Sequence, residues 1–526
     1  MAEAEVGPSK PAEAPQQQPE HLLDRSHGRK PRPDSPHTIG RWRSAFATVR
    51  PDALWTRHRL FMILVLASLV PRVLASLGFR PALTIRDSFD YMHDGVHLAL
   101  GQLRPAGYPL LLWLLRPFHS LVLVTSLQHL LGIGIAVIVY GMLRHWGLPG
   151  WGACLAAAPT LFDYRQIALE SLILPDLVYG FVVVAAVALL LTKRTPRVWQ
   201  CVLAGLLIAY AALLRGNGLP LIVPVLAAML IRRVGWRAVS AGTAASAIPV
   251  LTYMSLFYAT WGTFNLTNSD GFFLWSRTTS FANCAVIRPP PDLVPLCPGQ
   301  ADLHGVDRSP AAYLWAPNAW FRRDAHPGVN AANNALATQF AVRAIAAQPT
   351  GYVHAVARDV LASFLATDRP LSLHTMAFTA APDVPVLPPY WARALRDYGH
   401  TTANTHAVRP YATLMFRYQR PVYFPGLVFL GVVIAGLAGL LSKRRQWGGP
   451  GALPWAVAAI SIVLPPMLTW YAYRYLLVAV PLACIAAGLA FARTPSWPQP
   501  AAARDEFATP AGGAGAARGE HASRST

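Results

Sequence analysis

Ten runs of apolar residues, spaced along most of the chain, constrain the fold more than any other feature of the sequence. They lie at roughly 60–78, 120–143, 150–163, 171–192, 198–214, 218–231, 238–260, 422–441, 452–470 and 476–492. About 20 apolar residues in a helix cross a hydrocarbon layer of about 30 Å. A helix satisfies its own backbone hydrogen bonds, which lipid cannot do for it. The shorter runs fit such a layer by tilting or packing against neighbours. Composition agrees: 54% of the residues are hydrophobic and 13% charged, against about 25% charged in a soluble domain. A soluble multidomain enzyme and a disordered chain are both excluded. The expected fold is an all-α polytopic membrane protein of about ten transmembrane helices.

The polar segments give a topology. Residues 1–58 and 493–526 are rich in Pro, Gly, Ala, Gln and charge without apolar periodicity, and read as disordered tails. No signal-peptide apolar core opens the chain. Basic residues concentrate on the cytoplasmic side of membrane helices. With ten spans, Arg57 and Arg59, Arg144, Lys193 with Arg194 and Arg197, Arg232 with Arg233 and Arg237, and Lys443 with Arg444 and Arg445 all fall on one side. The expectation is a multi-pass plasma-membrane protein with both termini cytoplasmic. The formal net charge of +20 is then read as facing anionic lipid; no basic helix or aromatic platform suggests nucleic acid. The opposite side holds a first outer loop, 79–119, and a long segment, 261–421. The first transmembrane module spans 59–260 and the C-terminal helices 422–492.

Within 261–421 there is no Lys and no Glu, and Asn330–Ala347 and Tyr352–Leu365 carry a helical apolar pattern. Tyr108–Leu115 is too short to cross and is expected along the interface. Cys154, Cys201 and Cys484 sit inside apolar spans. Cys284 and Cys297 share the large outer loop and, in an oxidising compartment, can form a disulfide; their spacing fits no zinc pattern.

Ionisable residues outside the cytoplasmic clusters are the informative ones in such a chain. The first outer loop contains Arg80, Arg86-Asp87-Ser88-Phe89-Asp90-Tyr91 and Arg104-Pro105-Ala-Gly107-Tyr108-Pro109, and Arg72 lies near the end of the first span. Two readings stand for this cluster. It is either a site for an anionic phosphate with a carboxylate as general base, or an interfacial ion pair without chemistry. Asp163-Tyr164-Arg165, Glu170, Arg215-Gly216-Asn217-Gly218 and Tyr473-Arg474-Tyr475 fall on the same outer face, and His129 lies in the second span. Singly, each has a structural reading: a helix cap, a turn or an aromatic belt. Their convergence on one face favours function.

Four stretches resemble the GT-C superfamily of integral-membrane glycosyltransferases. The closest likeness is to the polyprenyl-phosphate-sugar-dependent branch that includes protein O-mannosyltransferases and the aminoarabinose transferases of lipid A. Asp87-Ser88-Phe89-Asp90-Tyr91 resembles the first-loop acidic motif. Arg104-Pro-Ala-Gly107-Tyr108-Pro109-Leu resembles an Arg-Pro-Pro-Gly-Tyr-Pro stretch. Leu214-Arg215-Gly216-Asn217-Gly218-Leu219 resembles an Arg-Pro-Asn-Gly turn, and Tyr473-Arg474-Tyr475-Leu-Leu-Val-Ala-Val-Pro481 an Arg-Tyr-Leu-x-Pro span. The departures are Ser88 in place of Glu, Ala106 in place of Pro and Gly216 in place of Pro. The resemblance covers about residues 60–260 and 420–492.

The resemblance implies transfer of a sugar from a polyprenyl-phosphate carrier to an extracytoplasmic acceptor hydroxyl, with inversion at the anomeric carbon. The acceptor is a protein, a lipid or a glycan. Asp87 is then the proton acceptor. Arg474, Arg215, Arg104 and Arg86 bind the donor phosphate. Asp90, Tyr91, Tyr108, Glu170 and His129 position substrate. A divalent cation (Mg or Mn) on Asp87 and Asp90 is permitted but not required. A transporter or flippase for lipid-linked sugars, a polymer ligase and a structural subunit are the alternatives. None of the repeated or broken helix pairs common in transporters is present in the sequence.

Overall fold

A computed structural model of the protein describes residues 51–193, 195–298, 309–315, 319–322, 328–365, 378, 387–401, 404–442 and 449–492. The chain divides into two units, Met1–Arg57 and His58–Thr526, and every side chain discussed below belongs to the second. The helices up to the first long outer segment are α1 Pro51–Gly78, α2 Arg86–His97, α3 Gly107–Leu115, α4 Leu121–His145, α5 Gly150–Phe162, α6 Tyr164–Ser171, α7 Asp176–Leu191, α8 Val198–Leu214, α9 Ile222–Ile231 and α10 Trp236–Trp261. The segment 261–421 holds α11 Asp270–Thr278, α12 Cys284–Ile287, α13 Pro310–Trp315, α14 Ala331–Ala347, α15 Pro349–Leu365, α16 Pro389–Gly399 and α17 Tyr411–Tyr418. The last four are α18 Gly426–Ser442, α19 Ala452–Leu468, α20 Tyr473–Leu476 and α21 Ala479–Phe491. The only strand pair among the described residues is β1 Phe79–Arg80 with β2 His406–Ala407, antiparallel.

Each of the ten apolar runs is helical, so the all-α polytopic expectation holds. Four helices, Thr56–Gly78, Leu121–His145, Trp236–Trp261 and Tyr473–Phe491, are long and apolar enough to cross a bilayer alone. Six more, of 10–17 residues, are shorter. Packing explains how the short ones are tolerated. Nearly every residue of α7 is buried, so its ends meet protein rather than lipid. The long helices show the converse: Leu60, Ile63, Leu66, Val70 and Val73 form an exposed stripe on α1. In water that stripe would be an aggregation surface; against lipid tails it is matched. The α8–α10 pair approaches closely because its contact residues are small. A Cβ on Gly205 would sit 2.4 Å from the Gly242 carbonyl oxygen.

Three boundaries differ from the sequence reading. The helix expected to start near residue 59 begins at Pro51; the remainder of the two expected tails, and Lys443 to Arg445, lie outside the described residues. The run 171–192 is broken: α6 ends at Ser171, and Leu172–Pro175 forms a link whose Ile173 N–H donates to the Leu83 carbonyl at 3.2 Å. The last run starts earlier, at Tyr473, with Tyr473–Leu476 and Ala479–Phe491 in sequence.

The outer segment has its own apolar core, built on Phe272, Trp275, Leu293, Leu296, Tyr313 and Phe340. Cys284 and Cys297 are joined by a disulfide beside that core. The two expected helices are present as Ala331–Ala347 and Pro349–Leu365. This segment pins the first outer loop from several sides. The Thr405 hydroxyl donates to the Ala82 carbonyl (2.7 Å), Asn268 Nδ2 to Gln102 Oε1 (2.9 Å) and the Ser269 hydroxyl to the Leu103 carbonyl (3.0 Å). Phe89 of α2 stacks on Trp391 of α16 with ring centroids 4.7 Å apart.

Candidate active site

The first outer loop delivers Asp87 on the opening turn of α2, where a carboxylate is favoured by the helix dipole. Ser88, the departure from the family motif, accepts a hydrogen bond from the Ile85 N–H (3.1 Å) and is fully buried. It satisfies one of the orphan donors at that helix start. Arg86 and Asp87 are sequence neighbours, and adjacent residues on a helix point about 100° apart. Arg86 accordingly turns away: its guanidinium lies 4.6 Å over the Trp315 ring and donates to the Trp315 carbonyl. The structure thus places Arg86 against Trp315 and not on Asp87.

Asp87 receives two other arginines. Arg104 Nη2 donates to Oδ1 at 2.7 Å, and Arg474 Nη2 donates to Oδ2 at 3.1 Å. The first comes from the loop before α3, the second from the start of α20. Arg474 also donates to the Tyr475 hydroxyl at 3.3 Å. The Tyr475 ring lies 4.6 Å below the Arg215 guanidinium, which itself pairs with Asp176 at the first turn of α7. Arg104, Arg215 and Arg474, predicted from separate stretches, thus converge through Asp87 and Tyr475. These five ionic groups, three guanidiniums and two carboxylates, leave one net positive charge.

Glycines make this convergence possible at two places. A Cβ on Gly107 would lie 2.5 Å from the Leu213 carbonyl group, and one on Gly218 would lie 2.5 Å from the Ala211 carbonyl carbon. Only glycine lets α3 and the turn after α8 approach the α8 backbone so closely. These contacts hold Arg104 and Arg215 at one end of α8.

The protonation states follow from the neighbours. Burial works to raise the Asp87 carboxyl, but Arg104 and Arg474, aided by Arg215, outweigh it and hold it at about 2. Burial pushes Asp90, one turn along the same face, up to about 6, with Arg104 pulling it down and Asp87 pushing it further up. Burial and the Asp90 charge push Asp94 up to about 7. Burial lifts the Tyr91 hydroxyl to about 12. Tyr91 is buried with its ring 5.9 Å from the Arg104 guanidinium.

A cleft of about 330 Å³ opens beside this cluster, lined by Tyr91, Arg104, Arg215, Asn217, Thr469 and Tyr475, among others. Arg104 Nε and Thr469 Oγ1 are buried polar atoms with no hydrogen-bond partner, and so is Asp176 Oδ2 in an adjoining small pocket. Native interiors pair nearly all such atoms, so Arg104 and Asp176 keep hydrogen-bonding capacity that their ion pairs do not use. A second hollow of about 650 Å³ lies between α5, α18 and α21 and is mostly apolar, with Asp163 at its edge.

Three expected substrate-positioning residues lie elsewhere. Glu170 is completely buried with every oxygen engaged: Arg72 and Gln166 donate to Oε1, and Arg72 and His129 meet Oε2 at 2.9 and 2.8 Å. Glu170 and His129 therefore belong to a buried network with Arg72, in which the second ring nitrogen of His129, Nε2, has no hydrogen-bond partner. Tyr108 is also fully buried, and its hydroxyl donates to Gln128 Oε1 at 2.8 Å. None of the three lines the cleft beside Asp87.

The sequence reading missed Asp176. The apolar run drawn from 171 absorbed it as an interior residue. A lone carboxylate at the edge of such a run is itself the signal that was available.

A divalent cation does not fit the residues expected to hold it. Both Asp87 oxygens face guanidiniums, and Asp90 lies within the field of Arg86 and Arg104. A dication would have to enter a site already net positive. No cluster of three or more His, Cys, Asp or Glu suited to a metal occurs among the described residues.

No family model matches the chain, and no curated protein matches it. Among solved structures, the chain is similar to the crystal structure of ArnT from Cupriavidus metallidurans bound to undecaprenyl phosphate. The match covers 82% of this chain and 77% of that one, at 15% identity and a TM-score of 0.32. A superposition at that level decides neither fold nor function, so the functional reading rests on the residues above.

Proposed function

We propose that the protein is a GT-C-type membrane glycosyltransferase that moves a sugar from a polyprenyl-phosphate carrier to an acceptor hydroxyl on the extracytoplasmic side. One observation carries the reading: Arg104 and Arg474, from distant stretches, meet on the buried Asp87 carboxylate, Arg215 stacks on Tyr475 beside them, and Arg104, Arg215 and Tyr475 line a cleft. An anionic phosphate is the ligand chemistry that such a cluster of guanidiniums recognises.

In this mechanism the acceptor oxygen attacks the anomeric carbon as the bond to the phosphate oxygen breaks, which inverts configuration. The leaving phosphate gains negative charge, and the fixed guanidiniums stabilise it without reorganising. Asp87 takes the acceptor proton; a positioned base contributes about 10²–10⁴-fold. The prenyl tail runs along the exposed apolar face of α3, over Leu110, Trp113 and Leu114.

Membranes containing the protein, supplied with a radiolabelled polyprenyl-phosphate sugar, test this. Transfer of label to an endogenous acceptor is expected from the wild type and is abolished in Asp87→Asn. Arg474→Ala raises the donor requirement more than the acceptor requirement. Undiminished transfer by Asp87→Asn removes Asp87 from the mechanism.

A further inference from the structure

The geometry around Asp87 poses a problem for its own proposed role. A base must offer a free lone pair to the acceptor proton, and its affinity for that proton should be near the working pH. Asp87 instead has one oxygen on each of two guanidiniums, which hold its carboxyl at about 2. In this state it is a poor base. The same two guanidiniums are the groups a donor phosphate would need, and in this state they are occupied. Arg104 nonetheless lines the cleft and keeps its buried Nε unpartnered, so the clamp retains unspent donor capacity.

We infer that Asp87 is the resting counter-ion of the phosphate site: the arriving donor phosphate displaces its carboxylate from Arg104 and Arg474, and the displaced carboxylate becomes the proton acceptor. This rests on the transferase reading for the identity of the anion. Charge balance supports it. Three guanidiniums and two carboxylates leave the site at one net positive charge, and the donor phosphodiester brings one negative charge. In the reaction the electron pair of the broken C–O bond goes to the phosphate, giving it a second negative charge, while the acceptor proton neutralises Asp87. The total stays at zero before and after the step. A buried site that stays neutral avoids the large cost of an uncompensated charge in low dielectric. Free enzyme is thereby kept from holding an exposed base beside an empty clamp, and the base is made available by the ligand that needs it.

The groups that face Asp87 are Arg104 from the first loop, Arg474 from α20, Arg215 from the end of α8, and Asp90 and Tyr91 on its own helix. Asp87→Asn removes the competitor and keeps the shape. The binding of polyprenyl phosphate, without sugar, is measured on full-length protein in lipid nanodiscs. If Asp87 holds the clamp closed in roughly nine molecules of ten, the apparent affinity of wild type is reduced about tenfold, and the variant regains that factor. Tighter binding by Asp87→Asn, with transfer lost, is the expected result. Equal or weaker binding by the variant, where wild type does bind, overturns the counter-ion role and leaves the transferase reading standing. Binding by neither protein overturns the transferase reading itself, and this inference with it.

Should Asp87→Asn fail to fold, calorimetry on protein that keeps Asp87 gives the answer. The ligand is the methyl diester of polyprenyl phosphate, whose single charge does not titrate, and the protein is Asp90→Asn, which silences the neighbouring carboxyl. Titration in two buffers of different ionisation heat near pH 4, where a carboxyl released from about 2 toward its ordinary 3.8 takes up part of a proton, should reveal proton uptake on binding. Binding without proton uptake overturns the exchange.

Discussion

Glu170 allows the sharpest separation of scaffold from site. It is the single Glu between residues 21 and 505, and its carboxylate is completely excluded from solvent, as is nearly all of Arg72. The Arg72 guanidinium also donates to the carbonyls of Ser68 (3.0 Å), Leu161 (2.8 Å) and Thr160 (3.3 Å). Removing the carboxylate charge by Glu170→Gln leaves that guanidinium buried against neutral partners. Two unit charges about 4 Å apart attract by roughly 4 kcal/mol at an effective dielectric of about 20. Deleting one partner of a buried pair costs about 3–5 kcal/mol by experience with such pairs. The two figures agree, so a loss of about 3–5 kcal/mol is expected. The double variant Arg72→Met with Glu170→Met should recover most of it, because no charge then remains buried. Unfolding in nanodiscs or mixed micelles, followed by a double-variant cycle, measures both quantities. Turnover per folded molecule should be little changed. A stability within about 0.5 kcal/mol of wild type refutes the buried-charge reasoning. A collapse of turnover at unchanged stability would instead return Glu170 to the substrate.

Other outcomes follow from the same geometry. Gly107→Ala drives a methyl into the Leu213 carbonyl group, at 2.5 Å in the present backbone; α3 must shift and carry Arg104 with it, costing about 1–3 kcal/mol of stability and transfer activity beyond that loss. The carboxyls of α2 make stability depend on pH in opposite directions. Asp90 and Asp94 stand at about 6 and about 7, above the ordinary 3.8, so the folded state holds their protons more tightly; their contribution is full below about 3.8 and is lost as pH rises through 6 to 7. Asp87, at about 2, contributes above 3.8 and loses that contribution as pH falls toward 2. Melting curves taken from about pH 4 to about pH 8 should therefore decline with pH in wild type and flatten in Asp94→Asn; an unchanged slope in the variant would contradict the assignment. Replacing both Cys284 and Cys297 by Ser, 13 positions apart, should lower the stability of the outer segment by about 3 kcal/mol, read by hydrogen exchange around Trp275 and Tyr313, while exchange in α7 and α8 stays as it was.

The membrane helices were legible in the sequence because a run of apolar residues has few other ways to exist. The charges were legible for a related reason: an arginine or aspartate at the edge of lipid is costly and needs a partner. What the sequence did not contain was the choice of partner. Arg86 and Asp87 look like a pair in a string of letters, yet a helix turns them apart, and Asp87 meets Arg104 and Arg474 instead. Glu170 and Arg215 lie on the same expected face, but one is enclosed with Arg72 and His129 and the other pairs with Asp176 at a cleft. The family-like glycines carried a geometric meaning that no pattern states: Gly107 and Gly218 mark where other segments touch the α8 backbone.

The two buried carboxylates, Glu170 and Asp87, differ in what surrounds their ion pairs. Glu170 has all its bonds within the protein, and a Cβ on Gly132 would fall 1.9 Å from its Oε1, so the surrounding space is already filled. No ligand can reach it without dismantling three elements. Asp87 is also buried and also paired, but its partner Arg104 retains an unsatisfied donor and lines an open cleft. On the exchange inferred above, an anion entering that cleft takes over the guanidiniums and offsets the one net positive charge they leave, and the released carboxylate then accepts the proton. Burial and pairing alone therefore do not identify a catalytic group. What Asp87 has in addition is an open cleft beside its ion pair, lined by its partner Arg104 together with Arg215.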